Sequence, residues 1–265
     1  MDSLEVIVLA LVQAATEFLP VSSSGHLILV PALFGWAPAG IAFDVALHLG
    51  TLFAVAAYFR DDILSMIRPW WRSFRYGGKT TESAMAWGLL IATIPAAALG
   101  LIGGQLIETH LRSPAVVAFQ LAVFGLLLWL VDRYARRDRA TETLRLRHWL
   151  LLGLAQSLAL VPGTSRSGIT MTMARGLGLP REQAARVSFL MALPVIALAG
   201  GYETLGWVTD DSSVDAGAML LGVGVAALAG YACIHGFMRL IGRIGFGIFA
   251  AYRIVLAALI VLLIY

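Results

Sequence analysis

Charged side chains are scarce in this sequence. Asp, Glu, Lys and Arg make up 13% of its 265 residues, about half of their share in an average soluble domain. Hydrophobic residues make up 59%, and the mean hydropathy is +0.83. Because apolar runs of membrane-spanning length recur along the chain, the composition indicates a polytopic helical membrane protein and argues against a soluble domain.

Cysteine is nearly absent, since Cys233 is the only one, and an internal disulfide is therefore excluded. No segment is rich enough in Pro, Ser or charge to act as a linker, so residues 1–265 are expected to form one integral membrane domain. The net charge of +3 does not indicate a nucleic-acid partner, because loop arginines set the orientation of a membrane protein. The lipid bilayer is the expected partner. A homodimer is compatible with the sequence, but no residue pattern specifies one.

Six stretches have the length and composition of transmembrane helices. They are residues 41–59, 84–104, 114–131, 184–202, 216–238 and 245–264. The chain has two further pairs of short apolar pieces, 3–19 with 26–35 and 148–160 with 166–178. Each piece is shorter than the roughly 20 residues that a transmembrane helix needs. Each pair is predicted to form a re-entrant helical hairpin whose polar break is buried in protein or lines a wet cavity. The predicted fold class is therefore all-α, with six transmembrane helices and two re-entrant hairpins.

Basic loops set the predicted orientation, because they lie on the cytoplasmic side. The segments 60–83, 132–148, 179–183 and 239–243 are placed inside as loops, and 105–113 and the acidic 203–215 are placed outside. This assignment is consistent only if each short pair is re-entrant. The half formed by residues 148–265 is then inverted relative to the half formed by residues 1–131.

A weak sequence similarity between the two halves supports this inverted repeat. Gln13 begins a polar run that ends at Gly25, and Gln156 begins one that ends at Gly168, twelve residues later in both cases. Inverted repeats with broken helices that meet near the middle of the membrane are typical of transporters. The repeat therefore predicts that the two polar stretches face each other.

The first polar stretch carries groups suited to metal binding and proton transfer. Gln13 and Glu17 are four residues apart and share a helix face. Glu17 is either a ligand of a divalent metal, together with Gln13, or a carboxylate that orients a base. A serine can act as a nucleophile if an adjacent base takes its proton, and His26 is the nearest base. The candidate serines are Ser22, Ser23 and Ser24.

The second polar stretch, residues 162–170, has the features of a phosphate-binding segment. Arg166 lies in apolar surroundings, where a charge marks a functional site by default. Arginine binds phosphate oxygens bidentately, and the free amides of a helix N-terminus bind anions. Ser165 and Ser167 flank Arg166, and Thr170 lies one helical turn further on the same face.

Three polar residues inside predicted spans are weaker candidates. Asp44 and His48 share a helix face and could support the site or form a structural pair. Arg253, in the last predicted span, is expected to meet an anionic group or to pair with a carboxylate.

Both polar stretches resemble motifs of one family. The run from Gln13 to His26, QAATEFLPVSSSGH, resembles the (E/Q)xxxE and PVSSxGH motif of the undecaprenyl-diphosphate phosphatases, which are also called bacitracin-resistance proteins. The run from Pro162 to Thr170, PGTSRSGIT, resembles their PGxSRSxxT motif. The resemblance implies an integral membrane hydrolase that converts undecaprenyl diphosphate to undecaprenyl phosphate and inorganic phosphate. Such an enzyme recycles the lipid carrier for peptidoglycan synthesis and confers bacitracin resistance.

The resemblance also implies roles for individual residues. The catalytic group would be Ser23, as the nucleophile, with His26 and Glu17. A divalent cation, Mg²⁺ or Ca²⁺, would bind near Glu17 and Gln13, although many members have a second glutamate where this chain has Gln13. The implied phosphate-binding residues are Ser165, Arg166, Ser167 and Thr170, with Ser22 and Ser24 as further substrate-binding candidates.

Two questions stay open in the sequence. His26 or a metal-bound water could replace Ser23 as the nucleophile. A transporter or flippase of prenyl phosphate lipids is the alternative function, since discontinuous inverted helices are typical of carriers. The cluster of serine, histidine and carboxylate favours the hydrolase. Such an enzyme is expected in the cytoplasmic (inner) membrane, with its site open to the extracytoplasmic side.

Overall fold

The computed structural model describes residues 1–37, 40–207 and 215–264, which form eleven α-helices and two short 3-10 turns. The helices are α1 (Ser3–Phe18), α2 (Ser23–Phe34), α3 (Ile41–Tyr58), α4 (Arg60–Tyr76), α5 (Thr81–His110), α6 (Pro114–Tyr134), α7 (Leu146–Ser157), α8 (Arg166–Gly176), α9 (Arg181–Trp207), α10 (Ala216–Ile244) and α11 (Gly247–Ile264). The 3-10 turns are Thr141–Thr143 and Leu158–Leu160. The predicted all-α class is confirmed.

Four helices contain a segment long and apolar enough to cross a membrane. These segments are Thr81–Gly104, Pro114–Tyr134, Arg181–Tyr202 and Ala216–Ile244. Helices α3 and α4 pass the same test as a pair but are bent by 79° where they join, and α2 and α11 are shorter apolar helices. The chain is therefore a multi-pass membrane protein built from helices.

The prediction of a loop over residues 60–83 is wrong, because Arg60–Tyr76 forms the 17-residue helix α4. Its basic residues suggested a loop, whereas its apolar residues recur with the period of a helix. Asp61 and Asp62 in the first turn and Arg75 in the last turn also stabilise the helix through its dipole.

Other predicted loops are shorter in the structure. Helix α5 continues to His110 and α10 continues to Ile244, so most of 105–113 and all of 239–243 are helical. Of the acidic segment 203–215, residues up to Trp207 belong to α9, and residues 208–214 lie outside the described part of the chain.

Small residues let several helices approach closely. Helix α10 packs on α1 and α3, α11 on α6, α7 on α5, and α9 on α3, α5 and α8. A Cβ added to Gly50 of α3 would lie 2.6 Å from the carbonyl oxygen of Val223, and one on Gly153 of α7 would lie 2.6 Å from that of Ala92. Close backbone contact of this kind is how membrane helices gain packing energy without a hydrophobic driving force.

An aromatic core lies where the end of α1 meets α9 and α10. The ring of Phe18 contacts that of Phe189 edge-on with centroids 5.5 Å apart, and Phe189 also lies beside Phe59 and Phe237. Phe18 and Phe189 are fully buried. This core holds the C-terminal end of α1 in place, directly before the first polar break.

A buried ion cluster joins α6, α8 and α9. Asp132 accepts hydrogen bonds from Arg175 at 3.0 Å and from Arg181 at 2.8 Å, and also from the backbone N–H of Phe246 at 3.1 Å. Arg175 is fully buried, and a buried charge is tolerated when it is paired and hydrogen-bonded in this way. The cluster fixes the position of α8, whose other end lies at the second polar break.

Candidate active site

The two polar breaks lie against each other. The first separates α1 from α2, and the second separates α7 from α8. The backbone N–H of Gly163 donates to Ser24 Oγ at 3.3 Å, and Ser167 Oγ donates to the carbonyl of Leu19 at 3.1 Å. Because each break supplies a serine to the backbone of the other, the N-termini of α2 and α8 are brought to one place.

A strained serine precedes each of these short helices. Ser22 has φ of 77° and Ser165 has φ of 70°, and they are the two non-glycine residues with positive φ in the described part of the chain. The side chain of Ser22 pairs with Ser24, and that of Ser165 pairs with Ser167, both at 3.2 Å. A non-glycine residue in this region costs on the order of 1–3 kcal/mol and is found mainly at functional sites.

Glu17 connects the catalytic candidates of both breaks. Its Oε1 accepts from Arg166 Nη2 at 3.0 Å and from Nε at 3.3 Å. Its Oε2 accepts from Ser23 Oγ at 3.1 Å and from Gln13 Nε2 at 3.2 Å, and His48 Nε2 lies 3.5 Å away. The carboxylate therefore lies between the candidate nucleophile and the candidate phosphate-binding arginine.

The ion pair of Glu17 and Arg166 is buried, whereas His48, on the other side of Glu17, is partly exposed. The side chain of Glu17 is 6% exposed and that of Arg166 is 12% exposed, whereas His48 is 34% exposed. Charges attract each other more strongly where protein excludes water. The ion pair therefore lies deep in the protein, and the site reaches the surface on the side of His48.

His26 belongs to a separate set of contacts. Its Nδ1 lies 2.7 Å from the carbonyl oxygen of Ser22, which assigns the ring proton to Nδ1. Its Nε2 then accepts from the hydroxyl of Tyr252 at 2.6 Å, and the two rings are stacked. Both ring nitrogens are thus engaged away from Ser23, and the group that accepts the Ser23 hydrogen bond is Glu17.

The hydroxyl groups beside Arg166 support helix α8. Ser165 Oγ accepts from the N–H of Gly168 at 3.1 Å, which caps the helix. Thr170 Oγ1 donates to the carbonyl of Arg166 at 2.7 Å and lies 2.6 Å from Ser188 Oγ. Arg166 Nη1 in turn donates to the carbonyl of Ser188 at 2.9 Å. The structure therefore brings Ser165, Ser167 and Thr170 beside Arg166.

Two residues contribute more to the site than the sequence indicated. His48, considered only as a supporting residue, lies beside Glu17. Arg253 is fully buried, and backbone carbonyls take the place of the anionic partner that was expected for it. The carbonyls belong to Pro20, Gln120, Leu121, Gly163 and Thr164, at distances from 2.9 to 3.4 Å. The sequence signal for Arg253 was its charge inside a predicted apolar span, where a charged residue is functional by default.

The donor groups beside Glu17 suit a hard divalent cation. Gln13 Oε1 is buried and has no hydrogen-bond partner among the described residues, although Gln13 Nε2 contacts Glu17. Carboxylate and amide oxygens are the ligands that Mg²⁺ and Ca²⁺ prefer. In the described part of the chain, no group of three or more His, Cys, Asp or Glu side chains is arranged to hold a metal ion. Water or substrate oxygens would therefore complete the coordination shell of a cation held by Glu17 and Gln13.

Three known proteins that are similar to this chain have the same description. An undecaprenyl-diphosphatase of Teredinibacter turnerae is 50% identical over 260 residues, which are 98% of each chain. Undecaprenyl-diphosphatase 2 of Stutzerimonas stutzeri is 49% identical over 99% of this chain and 98% of its own. An undecaprenyl-diphosphatase of Nitrosococcus oceani is 49% identical over 98% of both. Residues 6–259 match the sequence model of the bacitracin resistance protein BacA, and the chain belongs to that family.

Proposed function

We propose that this chain removes the terminal phosphate of undecaprenyl diphosphate, giving undecaprenyl phosphate and inorganic phosphate. The observation that carries the proposal is the contact of Glu17 with Ser23 on one side and Arg166 on the other. A carrier needs groups that bind an anion, but it does not need a serine hydrogen-bonded to a carboxylate. The product is the lipid carrier of peptidoglycan synthesis, and its recycling accounts for bacitracin resistance in the family.

The diphosphate binds where the two breaks meet. Among the described residues, the bonds of Arg166 to Glu17 and Ser188 use three of its five N–H groups. The other two can meet phosphate oxygens. The N-termini of α2 and α8 add backbone amides and the positive ends of two helix dipoles. The pair of Ser22 and Ser24 supplies a further hydroxyl donor. Ser167 and Thr170 already donate to backbone carbonyls, and Ser165 pairs with Ser167, so these three hydroxyls hold the phosphate-binding end of α8 in place.

Ser23 attacks the terminal phosphorus, and Glu17 takes its proton. A bond forms between Ser23 Oγ and phosphorus, and the bond from phosphorus to the bridging oxygen breaks, which releases undecaprenyl phosphate. Protonation of Glu17 removes the negative charge that holds Arg166, so the guanidinium charge becomes available to the transferring phosphoryl group. Water then attacks the phosphorus of the phosphoserine, and its oxygen leaves with the phosphoryl group as dihydrogen phosphate. Glu17 returns its proton to Ser23 Oγ as the bond from phosphorus to Oγ breaks, which restores the serine and the carboxylate. Positioning and charge stabilisation supply most of the rate increase in phosphoryl transfer.

A divalent cation would be held by Glu17 and Gln13. The unpartnered Gln13 Oε1 and the Glu17 carboxylate provide oxygen ligands of the type that Mg²⁺ and Ca²⁺ take. When bound, the cation offsets negative charge on the diphosphate. The chain's own residues hold the serine, accept its proton and bind the phosphate.

We also propose a topology of six spans, α3, α5, α6, α9, α10 and α11, with α1–α2 and α7–α8 as re-entrant hairpins. Helices α1, α2, α7 and α8 have 16, 12, 12 and 11 residues, and a span needs about 20. The strained Ser22 lies three residues before Gly25, and the strained Ser165 lies three residues before Gly168. This correspondence supports an inverted repeat. The protein then lies in the cytoplasmic membrane with the site open to the extracytoplasmic side, and all the residues proposed for the reaction come from one copy of the chain.

Phosphate release from a purified, reconstituted protein tests the activity. With a C15 or C55 prenyl diphosphate as substrate, Arg166→Ala should lower kcat/KM by about 100-fold or more. Arg243→Ala, which removes an exposed arginine, should keep the activity of the unchanged protein. Equal rates for Arg166→Ala and unchanged protein would overturn the site. Movement of labelled prenyl phosphate across liposomes without phosphate release would instead favour a flippase.

Quenching of the reaction in denaturing detergent near neutral pH, with substrate labelled on its terminal phosphate, identifies the nucleophile, because phosphoserine and phosphohistidine both survive these conditions. Label on Ser23 that disappears in Ser23→Ala and persists in Ser157→Ala supports the serine, because Ser157 is bonded within its own helix. Label on His26 would assign the histidine. Phosphate release with no labelled protein at any time would assign direct attack by water.

A further inference from the structure

Helix α4 has one face that packs against the protein. Met66 is buried, and Ile63, Trp70 and Ser73 are half-buried. Trp87 of α5 donates from Nε1 to Ser73 Oγ at 3.0 Å, and its ring lies 5.8 Å from that of Trp70. The orientation of α4 about its own axis is therefore fixed by these contacts.

A second face of α4 is apolar and exposed. Leu64, Ile67, Trp71 and Phe74 are 64%, 52%, 55% and 70% exposed. They follow one another at spacings of three and four residues, so they form a single stripe along the helix. An apolar stripe of this length on a helix whose other positions are largely polar gives the helix one apolar face.

A row of arginines runs directly beside this stripe. Arg68, Arg72 and Arg75 are exposed. Each of them directly follows a residue of the stripe in the sequence, so the arginines form a row along one side of the stripe. The acidic residues of α4, Asp61 and Asp62, lie in its first turn, and the rest of the helix, residues 63–76, contains three basic and no acidic side chains. The two rows together make α4 an amphipathic helix with an apolar edge and a cationic edge, which is the composition of helices that lie in a membrane interface.

The angle between α3 and α4 suits such a position. The bend of 79° turns α4 nearly perpendicular to α3, which is one of the apolar helices of the bundle. A helix of 17 residues then extends for about 25 Å along the membrane surface. In this position the stripe meets acyl chains while the arginines reach phosphate groups.

We infer that α4 is a binding surface for anionic phospholipids. Its occupant is the lipid headgroup layer, with the stripe formed by Leu64, Ile67, Trp71 and Phe74 against the acyl chains. Each basic side chain near a negatively charged bilayer adds a favourable electrostatic interaction, and the contributions of the three arginines are similar in size. A second copy of the chain fits less well, because a two-fold contact through the stripe would bring two rows of arginines together.

Lipid-specific quenching of a fluorescent label tests this surface. The label is attached to Ile67→Cys in a Cys233→Ser background, and the protein is placed in nanodiscs of mixed phosphatidylglycerol and phosphatidylcholine. A nitroxide quencher is carried on one lipid or on the other, at the same total concentration. Quenching through phosphatidylglycerol should exceed quenching through phosphatidylcholine by roughly threefold or more at low salt. The difference should shrink as salt is raised.

Matched charge removal completes the test. Replacing the three arginines of α4 with glutamine (R68Q, R72Q, R75Q) should abolish the lipid preference while quenching by both lipids persists. Replacing three exposed arginines in and directly after the last turn of α6 (R133Q, R136Q, R137Q) should leave the preference unchanged, and equal melting temperatures would verify that both triple variants are folded. Equal quenching by both lipids in the unchanged protein, or equal loss in both triple variants, would overturn the inference. The inference would also be overturned if neither lipid quenched the label and fluorescence energy transfer occurred between the labels of two copies, because the stripe would then bind a second copy of the chain.

Discussion

Gln13 gives the carboxylate of Glu17 an uncharged neighbour. Its Nε2 lies 3.2 Å from Glu17 Oε2 and donates to it, while its own Oε1 is buried without a partner in the described structure. A buried acceptor without a partner costs on the order of 1–3 kcal/mol. The arrangement keeps the negative charge of the pair on Glu17 alone, and Arg166 lies 3.0 Å from that carboxylate.

The substitution Gln13→Glu should make the stability of the protein depend on divalent cations. Two carboxylates at this distance repel each other when no cation lies between them. In EDTA we expect a melting temperature below that of the unchanged protein. Added Mg²⁺ or Ca²⁺ should recover stability, by about 2.7 kcal/mol when the free cation is at about 100 times its Kd. Thermal unfolding in detergent, followed with and without cation, measures both effects.

Gln156→Glu is the matched control for this substitution. Gln156 is also buried, and its Nε2 donates to the carbonyl of Ala92. Its Oε1, like that of Gln13, has no partner among the described residues. It has the place in the second half that Gln13 has in the first. The new carboxylate should lower the melting temperature without recovery by cation. Equal recovery in both variants would contradict a cation site at Gln13 and Glu17.

The chemistry-bearing residues could be selected from the sequence, but their pairing could not. Glu17 and Arg166 are charges within apolar surroundings, so each was predicted to be functional, and Ser23 followed from its polar stretch. The contact of His26 with Tyr252 joins residues that are 226 positions apart, and no local pattern encodes it. His26 was expected beside Ser23 because the two are close in sequence, whereas in the structure its ring nitrogens contact Ser22 and Tyr252.

At the scale of elements, the breaks were predictable and one helix was missed. Pro20 follows the end of α1, and Pro162 and Gly163 follow the 3-10 turn in which α7 ends. The short apolar pieces on either side of the breaks follow from length alone. Helix α4 was read as a loop because its many arginines outweighed the spacing of Leu64, Ile67, Trp71 and Phe74. That spacing is a helix signal even where the mean hydropathy is low, since an interfacial helix needs only one apolar face.

Arg253 links three elements, so its removal should loosen the whole site. From α11 its guanidinium donates to carbonyls of both breaks, Pro20 and Gly163, and to carbonyls of α6. We expect Arg253→Met to lower the free energy of unfolding by about 3 kcal/mol or more, because several buried carbonyls lose their donor. The kcat should fall as well, because the N-termini of α2 and α8 are no longer held together.

Arg253→Lys distinguishes the geometry of this residue from its charge. Lysine keeps the charge but has three donors on a single nitrogen, so it cannot reach carbonyls on opposite sides. Stability should lie between that of the unchanged protein and Arg253→Met, while kcat stays low. Arg243→Met, at an exposed position near the end of α10, is the control. A variant Arg253→Met with unchanged melting temperature and kcat would rule out this positioning role.

At the scale of the whole molecule, the two halves are joined through their breaks. Ser24 of the first half binds the backbone of the second at Gly163, and Ser167 of the second half binds the backbone of the first at Leu19. An approximate two-fold axis between the breaks would account for this exchange of equivalent serines. Such an axis in the membrane plane requires the two hairpins to enter from opposite sides.

Labelling of single cysteines from outside intact cells tests that requirement. In a Cys233→Ser background, Asp2→Cys and Trp36→Cys mark the two ends of the α1–α2 hairpin, and Arg145→Cys and Glu182→Cys mark those of the α7–α8 hairpin. A membrane-impermeant maleimide should modify both ends of the first hairpin in intact cells. It should modify both ends of the second only after lysis, because basic segments remain in the cytoplasm. If the two ends of either hairpin were modified from opposite sides, that hairpin would be a span, and the halves would not be related by an inverted repeat.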